Sequence, residues 1–456
     1  MTINPSLSRR SLLGVAGLGL GAAALSACGG PSTSTAADPV SAGGRPNGPS
    51  FAGVQPAKEI TFWSNHPGNS EAVTRSIIAK FAAATGITVN LVTAGSSYEE
   101  VAQKFQAAQA GGRLPDVVVF SDVWWFRYYT QNSIIPLTNA LKAAGVDTTD
   151  YRDGLFADYQ YAGGQWAVPW ARSTPLFYYN KTHWTKAGLE DRAPKTWAEI
   201  AAWAPKLQAA NTGAQHAYEH PALADYAGWT LQNILWGYGG GWSKKGSFDI
   251  TCDADPSVSA LQYVQDSVYK GKWAGVASQS ATDDLAAGAC SATLGSTGSL
   301  VGIQKAVAGK FEIGVGFLPG GPVSQSPVCP TGGAGVGIPK GIKAANQLAA
   351  AKFIGFLTNA ASTVAFSQAT GYMPVRKSAD TSSLLTANPL IGTAIKQLDV
   401  TRTQDYARVF LPGADQEMAK SVAQLLTQRA DVKQTMTALH GTLEQIYTTQ
   451  VKPHLG

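Results

Sequence analysis

The sequence is poor in charged residues. Only 14% of its 456 residues are Asp, Glu, Lys or Arg, against about 25% in a typical globular protein. Hydrophobic residues still make up 45%, which excludes an intrinsically disordered chain and argues against a long coiled coil. The formal net charge is +5 without any block of five like charges. A basic tail that binds nucleic acid is therefore not expected.

Cysteine is scarce as well. The sequence contains Cys28, Cys252, Cys290 and Cys329, and no two of them form a CxxC unit. This spacing argues against a zinc or iron–sulfur site, so we expect neither a metal nor a cofactor. In an oxidising compartment two of the last three cysteines could pair, and the sequence does not say which two.

The N-terminus has the features of an export signal. Arg9 and Arg10 form a twin-arginine pair, and the apolar run that follows is short and rich in Gly and Ala. The run ends in Leu-Ser-Ala before Cys28, a pattern typical of a bacterial lipobox. We predict a signal peptide over residues 1–27, lipidation of Cys28 and a flexible tether over 28–57. The exported body would be held at the outer face of the cytoplasmic membrane by this lipid anchor alone.

The first part of the body predicts an α/β fold. Strands are predicted at 59–63, 87–92 and 116–120, with helices at 70–84 and 98–110 between them. This β-α-β-α-β order favours a parallel, doubly wound sheet, whose ligands lie beyond the carboxyl ends of its strands. Stretches rich in Pro and Gly at 168–175, 318–335 and 371–374 are predicted to cross between two lobes. Further helices are predicted at 196–209, 256–270, 343–358, 360–370, 414–427 and 431–450.

Several longer motifs carry a resemblance to a known family. They are TFWSNHPG (61–68), YEEVAQKF (98–105), WWF (124–126), VPWARSTPLFYYNK (168–181), STGSL (296–300), CPTGGAG (329–335), FSQATGYMPVRKSA (366–379) and TRTQDYARVFLPG (401–413). With them the chain resembles the solute-binding lipoproteins of bacterial ABC importers, in the cluster that includes maltose-binding protein. More narrowly, it resembles the Ugp-type proteins that bind glycerol-3-phosphate or glycerophosphodiesters.

The resemblance implies a two-lobed periplasmic-binding-protein-like fold with the ligand in the cleft between the lobes. Each lobe is expected to contain a mostly parallel sheet flanked by helices. Residues 58–171 and about 333–371 are predicted to form lobe 1, and residues 172–332 and about 372–456 to form lobe 2.

The resemblance also implies the residues of the binding site. The polyol end of the ligand is expected to contact Tyr98, Asp122 and Trp229. The phosphate end is expected to contact Ser173, Ser296, Gly333, Tyr372 and Arg408, since hydroxyl groups, N–H groups and an arginine fork satisfy a phosphate. Tyr226 takes the position of a second aromatic platform, three residues before Trp229.

Each of these residues has a structural alternative. Asp122 could cap a helix that begins at Val123, and Arg408 could pair with Asp405 at the surface. Tyr372 could brace a hinge. Four tryptophans are expected to pack in the core rather than to bind ligand: Trp124, Trp125, Trp236 and Trp242.

We therefore expect a binding protein and not an enzyme. The sequence lacks a G-x-S-x-G elbow and a phosphate-binding P-loop, and the H-x-x-E-H match at 216–220 is followed by Pro221, which disfavours a zinc-binding helix. The resemblance implies a monomer that delivers glycerophosphodiesters or glycerol-3-phosphate to a permease pair driven by a separate ATPase. The alternatives are a protein that binds di- or oligosaccharides and, from another class, an adhesin or structural lipoprotein.

Overall fold

The computed structural model describes residues 46–455 of the chain, without the side chains of residues 224–226. The predicted signal peptide and Cys28 lie outside the described residues, and so does the side chain of Tyr226. The strands are β1 (Glu59–Ser64), β2 (Thr88–Thr93), β3 (Val117–Ser121), β4 (Gln160–Tyr161), β5 (Gly164–Gln165), β6 (Val168–Ser173), β7 (Pro175–Asn180), β8 (Tyr218–His220), β9 (Ala274–Val276), β10 (Ala292–Ser296), β11 (Ile313–Gly316), β12 (Cys329–Pro330), β13 (Gly332–Gly337) and β14 (Thr401–Arg402).

Helices surround these strands. They are α1 (Glu71–Thr85), α2 (Tyr98–Gly111), α3 (Trp125–Thr130), α4 (Thr138–Ala143), α5 (Asp153–Ala157), α6 (Lys181–Lys186), α7 (Trp197–Ala209), α8 (Leu223–Gly237), α9 (Asp255–Tyr269), α10 (Ala281–Ala287), α11 (Leu300–Val307), α12 (Ala344–Leu357), α13 (Ala360–Thr370), α14 (Ser382–Ala387), α15 (Ile391–Gln397), α16 (Tyr406–Val409), α17 (Ala414–Thr427) and α18 (Val432–Ile446).

The first of two five-stranded sheets has the order β2-β1-β3-β13-β6. β1 pairs in parallel with β2 and β3, as the opening β-α-β-α-β pattern predicts. β13 then pairs antiparallel with both β3 and β6, so the sheet is mixed rather than mostly parallel. The predicted parallel pairing is confirmed for β1, β2 and β3, which helices connect. The antiparallel strands, β6 and β13, come later in the sequence.

The second sheet has the order β11-β7-β10-β8-β9 and is also mixed. β8 pairs in parallel with β9 and β10, whereas β7 pairs antiparallel with β10 and β11. The predicted α/β class is confirmed, with two sheets that helices flank. The chain passes directly from the first sheet to the second at Thr174, between β6 and β7. Thr331 lies between β12, which pairs with β14 in a small two-stranded sheet, and β13 of the first sheet.

Two segments that the sequence suggested as crossings are partly strands. Residues 168–173 form β6, an edge strand, which is the place in a sheet where its Pro169 is tolerated. Residues 332–337 form β13, although four of the six are glycine. Glycine and proline normally indicate turns, and tertiary pairing outweighs that preference here.

Aromatic and aliphatic side chains fill the space between each sheet and its helices. In the first half, Phe62 on β1 packs edge-on against Trp170 and Phe353, with ring centroids 5.6 and 5.5 Å apart. In the second, Tyr218 on β8 packs against Phe177 and Trp197. Rings buried to this extent contribute about 2 to 3 kcal/mol each, so the sheets are rigid supports for the loops at their edges.

The described part of the predicted tether contacts the body. Gly48 lies against Pro136, the amide nitrogen of Asn139 donates to the carbonyl of Asn47 at 2.9 Å, and Ala57 donates to the carbonyl of Ala345 at 2.9 Å. The packed body therefore begins before residue 58, where the sequence places its start.

Among the described residues no single helix is long and apolar enough to cross a membrane. The bent pair Ala344–Leu357 and Ala360–Thr370 meets the length and composition test together, with a bend of 62°.

Candidate binding site

A cleft of about 520 Å³ opens where loops from the two sheets meet. The first sheet contributes the 3₁₀ turn Pro67–Asn69, the start of α2 and the segment after β3. The second side contributes α8, the 3₁₀ turn Thr297–Ser299 and the segment from α16 to α17. All eight predicted ligand residues with described side chains line this one cleft: Tyr98, Asp122, Ser173, Trp229, Ser296, Gly333, Tyr372 and Arg408.

Arg408 lies at the centre of a buried ion-pair network. Its Nη1 atom donates to Oδ2 of Asp122 at 3.1 Å and also to the side-chain oxygen of Gln404. Its Nε atom donates to Oδ1 of Asp415 at 2.8 Å. Only 5% of the Arg408 side chain is exposed. Burial by itself would lower the pKa of Arg408, but the carboxylates of Asp415 and Asp122 outweigh it and raise the pKa, so the guanidinium is charged.

Asp122 connects the first sheet to the C-terminal segment. It follows β3, and its amide nitrogen donates to the carbonyl of Gly333 at 3.0 Å. Its Oδ2 atom accepts from Nε2 of Gln404 at 2.6 Å in addition to Arg408. The capping alternative is wrong, because α3 begins only at Trp125 and no side chain caps its first turn. The buried carboxylate is instead held by donors from the other side of the cleft.

Tyr372 is packed between two glycines. Its ring lies against Gly68 from the first side of the cleft and against Gly298 from the second. A Cβ atom at Gly298 would be 2.5 to 2.8 Å from three ring carbons, where nothing larger than hydrogen fits. Tyr98 lies beside this ring, and burial, followed by the proximity of Tyr372, raises the pKa of Tyr98 well above 10.0. The phenol of Tyr98 is therefore a neutral hydroxyl, and both tyrosines line the cleft.

Trp229 and Gly333 form the floor where the sheets meet. The indole Nε1 of Trp229 donates to the carbonyl of Thr331 at 2.9 Å, and the ring covers Gly332. Gly333 has φ +94, and a Cβ there would be 2.1 Å from the carbonyl oxygen of Ala171. Only glycine fits this conformation and this approach of two backbones.

The two serines lie at strand ends. The Oγ atom of Ser296, at the end of β10, accepts from the amide of Gly298 at 3.1 Å. Ser173 was predicted to belong to the second lobe, but it is the last residue of β6 and pairs with Gly332 in the first sheet. It is nevertheless positioned at the cleft, because β6 ends where the chain crosses to the second sheet.

The remaining alternatives have clear outcomes. Asp405 does not pair with Arg408; its carboxylate accepts from Trp236 and the amide of Trp242, and forms an ion pair with Arg402. The tryptophans at 125, 236 and 242 are buried as predicted, with 0%, 4% and 0% exposure. Trp124 differs from that prediction, because its half-buried ring lines the cleft.

Sequence reasoning also missed polar residues of the cleft. His66 has a left-handed backbone with φ 51, and its Nε2 atom lies 2.7 Å from Oγ1 of Thr93. Burial lowers its pKa, so the ring is neutral near pH 7. Asp415 lies outside the motifs that carry the resemblance. Gln404 lies inside the motif at 401–413 but was not singled out, and it contacts Arg408 from behind the cleft lining. An acidic residue in the first turn of a helix is common for purely local reasons, so Asp415 gave no usable signal.

A larger concavity of about 820 Å³ borders α4 and the β4–β5 hairpin. It is lined from one side of the fold alone, without residues of the second sheet. Ligands of two-lobed proteins contact both lobes, which favours the smaller cleft as the site.

The described residues contain no group of three or more His, Cys, Asp or Glu side chains that could hold a metal ion. The H-x-x-E-H match contains strand β8 instead of a helix, so its two histidines do not lie one above the other on a helical face. Cys252, Cys290 and Cys329 are free and buried, so the pairing considered from the sequence is not formed.

The profile of one family matches most of the chain. It is described as bacterial extracellular solute-binding protein, and the match covers residues 76–393. Among curated proteins, the sn-glycerol-3-phosphate-binding periplasmic protein UgpB of Escherichia coli (strain K12) is 27% identical over 367 residues, which is 76% of this chain and 81% of that protein.

Two solved structures illustrate the likeness in three dimensions. UgpB from Mycobacterium tuberculosis, crystallised in complex with glycerophosphocholine, is 42% identical with a TM-score of 0.81, over 87% of this chain and 100% of that one. The GacH receptor of Streptomyces glaucescens GLA.O, studied with acarbose, is 19% identical with a TM-score of 0.74, over 86% and 98% of the two chains. The second likeness, at this identity, supports the fold alone.

Proposed function

The chain belongs to the bacterial extracellular solute-binding protein family, and from this premise we propose that it captures glycerophosphodiesters or glycerol-3-phosphate for an ABC importer. The observation that carries the proposal is the 42% identity to a structure solved with glycerophosphocholine. It is supported by the convergence of eight residues implied by the Ugp-type resemblance on one cleft.

Arg408 would bind the phosphate group. Its Nε and Nη1 atoms are hydrogen-bonded to carboxylates and to Gln404, whereas Nη2 makes no hydrogen bond to the described side chains or backbone, those of residues 224–226 set aside. A phosphodiester oxygen can accept from Nη2, and Ser296 and Tyr372, which carry hydroxyls, line the same cleft. Charge-assisted hydrogen bonds of this kind are about twice as strong as neutral ones.

Asp122 and Trp229 would bind the other parts of the ligand. A carboxylate accepts from two vicinal hydroxyls at once, so Asp122 suits the glycerol end. The face of Trp229 suits the C–H side of glycerol or a quaternary ammonium group, to which it is attracted by cation–π interaction. Tyr226, one turn before Trp229 on α8, is proposed as a second aromatic contact.

Binding, rather than catalysis, is the proposed activity. A ligand that contacts Asp122 on one side and Arg408 on the other stabilises the closed arrangement of the lobes by its differential affinity for it. The closed protein would be recognised by a permease pair, with a separate ATPase supplying the energy. We further propose that it acts as a monomer, tethered through lipidated Cys28 to the outer face of the cytoplasmic membrane.

Calorimetry and thermal unfolding test the proposal directly. Glycerophosphocholine should raise the melting temperature, and Arg408→Ala should reduce the affinity at least about a hundredfold, since it removes charge-assisted bonds worth about 1.5 to 3 kcal/mol each. Arg75→Ala is the matched control, because its side chain is 56% exposed and pairs with Glu71 on the surface of α1. Equal affinities of the Arg408 and Arg75 variants would remove Arg408 from the site.

Carbohydrate binding is the second candidate. The aromatic faces of Trp124 and Trp229 on one cleft would also suit a sugar. A neutral sugar offers no charge for Arg408 to bind, so a maltose titration discriminates: tight binding of maltose without binding of glycerophosphocholine would replace our proposal. An adhesin or structural lipoprotein would show no shift with any of these compounds.

A further inference from the structure

Asp415 lines the binding cleft, although the family resemblance gives it no role. It lies in the first turn of α17, and its Oδ1 atom accepts from Nε of Arg408 at 2.8 Å. Its side chain is 21% exposed, compared with 5% for Arg408. The carboxylate is thus in direct contact with the group that we propose to bind phosphate.

The position of this carboxylate is fixed by the helix on its other side. A Cβ atom at Gly228, on α8, would be 2.1 Å from Oδ1 of Asp415. The backbone of α8 therefore passes directly over the carboxylate, which cannot turn away without losing this packing. Arg408 is held by two acids on two sides, with Asp415 at Nε and Asp122 at Nη1.

The charges that line the cleft are mostly negative. Glu99, Asp122 and Asp415 are carboxylates, and Arg408 is the single arginine or lysine among the described lining residues. Burial lowers the pKa of His66, so its ring does not add a positive charge near pH 7. The positive charge of Arg408 is therefore already opposed before an anionic ligand enters.

We propose that Asp415 sets the ligand charge that the cleft accepts: beside Arg408 it disfavours a dianionic phosphomonoester and permits a monoanionic phosphodiester. This inference rests on the proposed function. It assigns the preference to electrostatic repulsion at the phosphate, independent of the group esterified to it. One additional unit charge a few ångströms away, at an effective dielectric constant of about 20, changes affinity at least about tenfold.

Two ligands that differ by one charge test the inference. sn-Glycerol-3-phosphate is a dianion at pH 8, because the second pKa of a phosphomonoester is about 6. Its methyl ester, glycero-3-phosphomethanol, has the same glycerol and a single negative charge. Calorimetry of the wild-type protein should give an affinity for the methyl ester at least about tenfold higher than for the monoester. In Asp415→Asn this ratio should fall at least about tenfold, mainly through tighter binding of the monoester.

Two variants separate charge from position. Asp415→Glu keeps the charge and should keep the preference for the methyl ester. Glu417→Gln removes a carboxylate from the same helix at a site that pairs with Lys420 outside the cleft, and the ratio should not change. Equal weakening of both ligands by Asp415→Asn would mean that the residue only positions Arg408, and would overturn the inference.

Titrations of the wild-type protein alone also test the inference and separate it from the proposed function. A wild-type protein that prefers the monoester overturns the role of Asp415 and leaves the proposed function standing. A wild-type protein that binds neither ligand, nor glycerophosphocholine, overturns the proposed function and this inference with it.

Discussion

Replacing Gly298 with alanine is expected to weaken ligand binding by displacing the ring of Tyr372. Gly298 lies in the 3₁₀ turn after β10, and a Cβ built there would be 2.5, 2.7 and 2.8 Å from three carbons of that ring. Its φ is outside the positive range, so alanine can adopt the backbone conformation without strain. The substitution therefore tests side-chain contact rather than backbone freedom.

The size of the effect follows from these distances. Ordinary van der Waals contact begins at about 3.4 Å, so the ring carbon at 2.5 Å must retreat by about 0.9 Å. The ring cannot bend, and Gly68 also packs closely against it, with a hypothetical Cβ only 2.8 Å from the ring. Overpacking of this kind costs about 1 to 3 kcal/mol. We expect a loss of about ten- to hundredfold in affinity for glycerophosphocholine.

Calorimetry with a matched control checks this prediction. Gly302 lies on α11, close to Gly298 in sequence, and a Cβ there meets nothing within 4 Å, so Gly302→Ala should bind normally. In a Tyr372→Ala background, Gly298→Ala should lower the affinity for glycerophosphocholine little further, because the ring that it displaces is gone. Full additivity of the two substitutions, or equal losses at Gly298 and Gly302, would refute the reasoning.

Three further expectations concern stability. Arg172→Met should cost about 3 kcal/mol in urea unfolding, because it leaves the carboxylate of Asp158 buried without its partner. Burial, followed by a neighbouring carboxylate, raises the pKa of Glu219 to about 7. The folded protein holds the proton of this carboxyl more tightly than the unfolded chain does, so the protein loses stability as the pH rises from about 4.5 to about 7. Glu219→Gln should make the melting temperature less dependent on pH over that range. Gly333→Ala, at φ +94 against a carbonyl oxygen, should destabilise more than Gly86→Ala, at φ +68 with nothing within 4 Å.

The helices were predictable because their signal is local. The predicted helices at 196–209 and 414–427 correspond to Trp197–Ala209 and Ala414–Thr427, each with buried residues at helical spacing. β6 and β13 lacked such a signal: β13 is four-sixths glycine, and β6 contains a proline. What makes both segments strands is pairing with partners more than a hundred residues away, which no local pattern contains.

The site was predictable only in part, and for a different reason. Asp122 and Arg408 were implied by the resemblance to the Ugp-type proteins, and the cleft brings both together. Asp415 and Gln404 are equally close to Arg408, but neither residue type nor spacing distinguishes them from surface residues of a helix start or loop. Their roles depend on which helices meet in space, and this information is in the packing of α8, α16 and α17.

A second cluster of contacts ties together the segments that the sequence predicts as crossings between the lobes. Arg172, at the end of β6, pairs with the buried carboxylate of Asp158. The second crossing reaches this pair through Thr331, whose Oγ1 donates to Asp158 at 2.7 Å. The segment 371–374, which the sequence predicts as a further crossing, reaches it through Met373, whose amide donates to the carbonyl of Arg172 at 2.9 Å.

Separating these segments would leave a buried charge without its partner, at a cost of several kcal/mol. An opening motion that keeps the ion pair intact avoids that cost. The lobes should therefore turn about Arg172, and contacts far from it should part first. The hydrogen bond of 2.5 Å between Glu99 on α2 and Gln416 on α17 is such a contact, because it is exposed at the outer edge of the cleft.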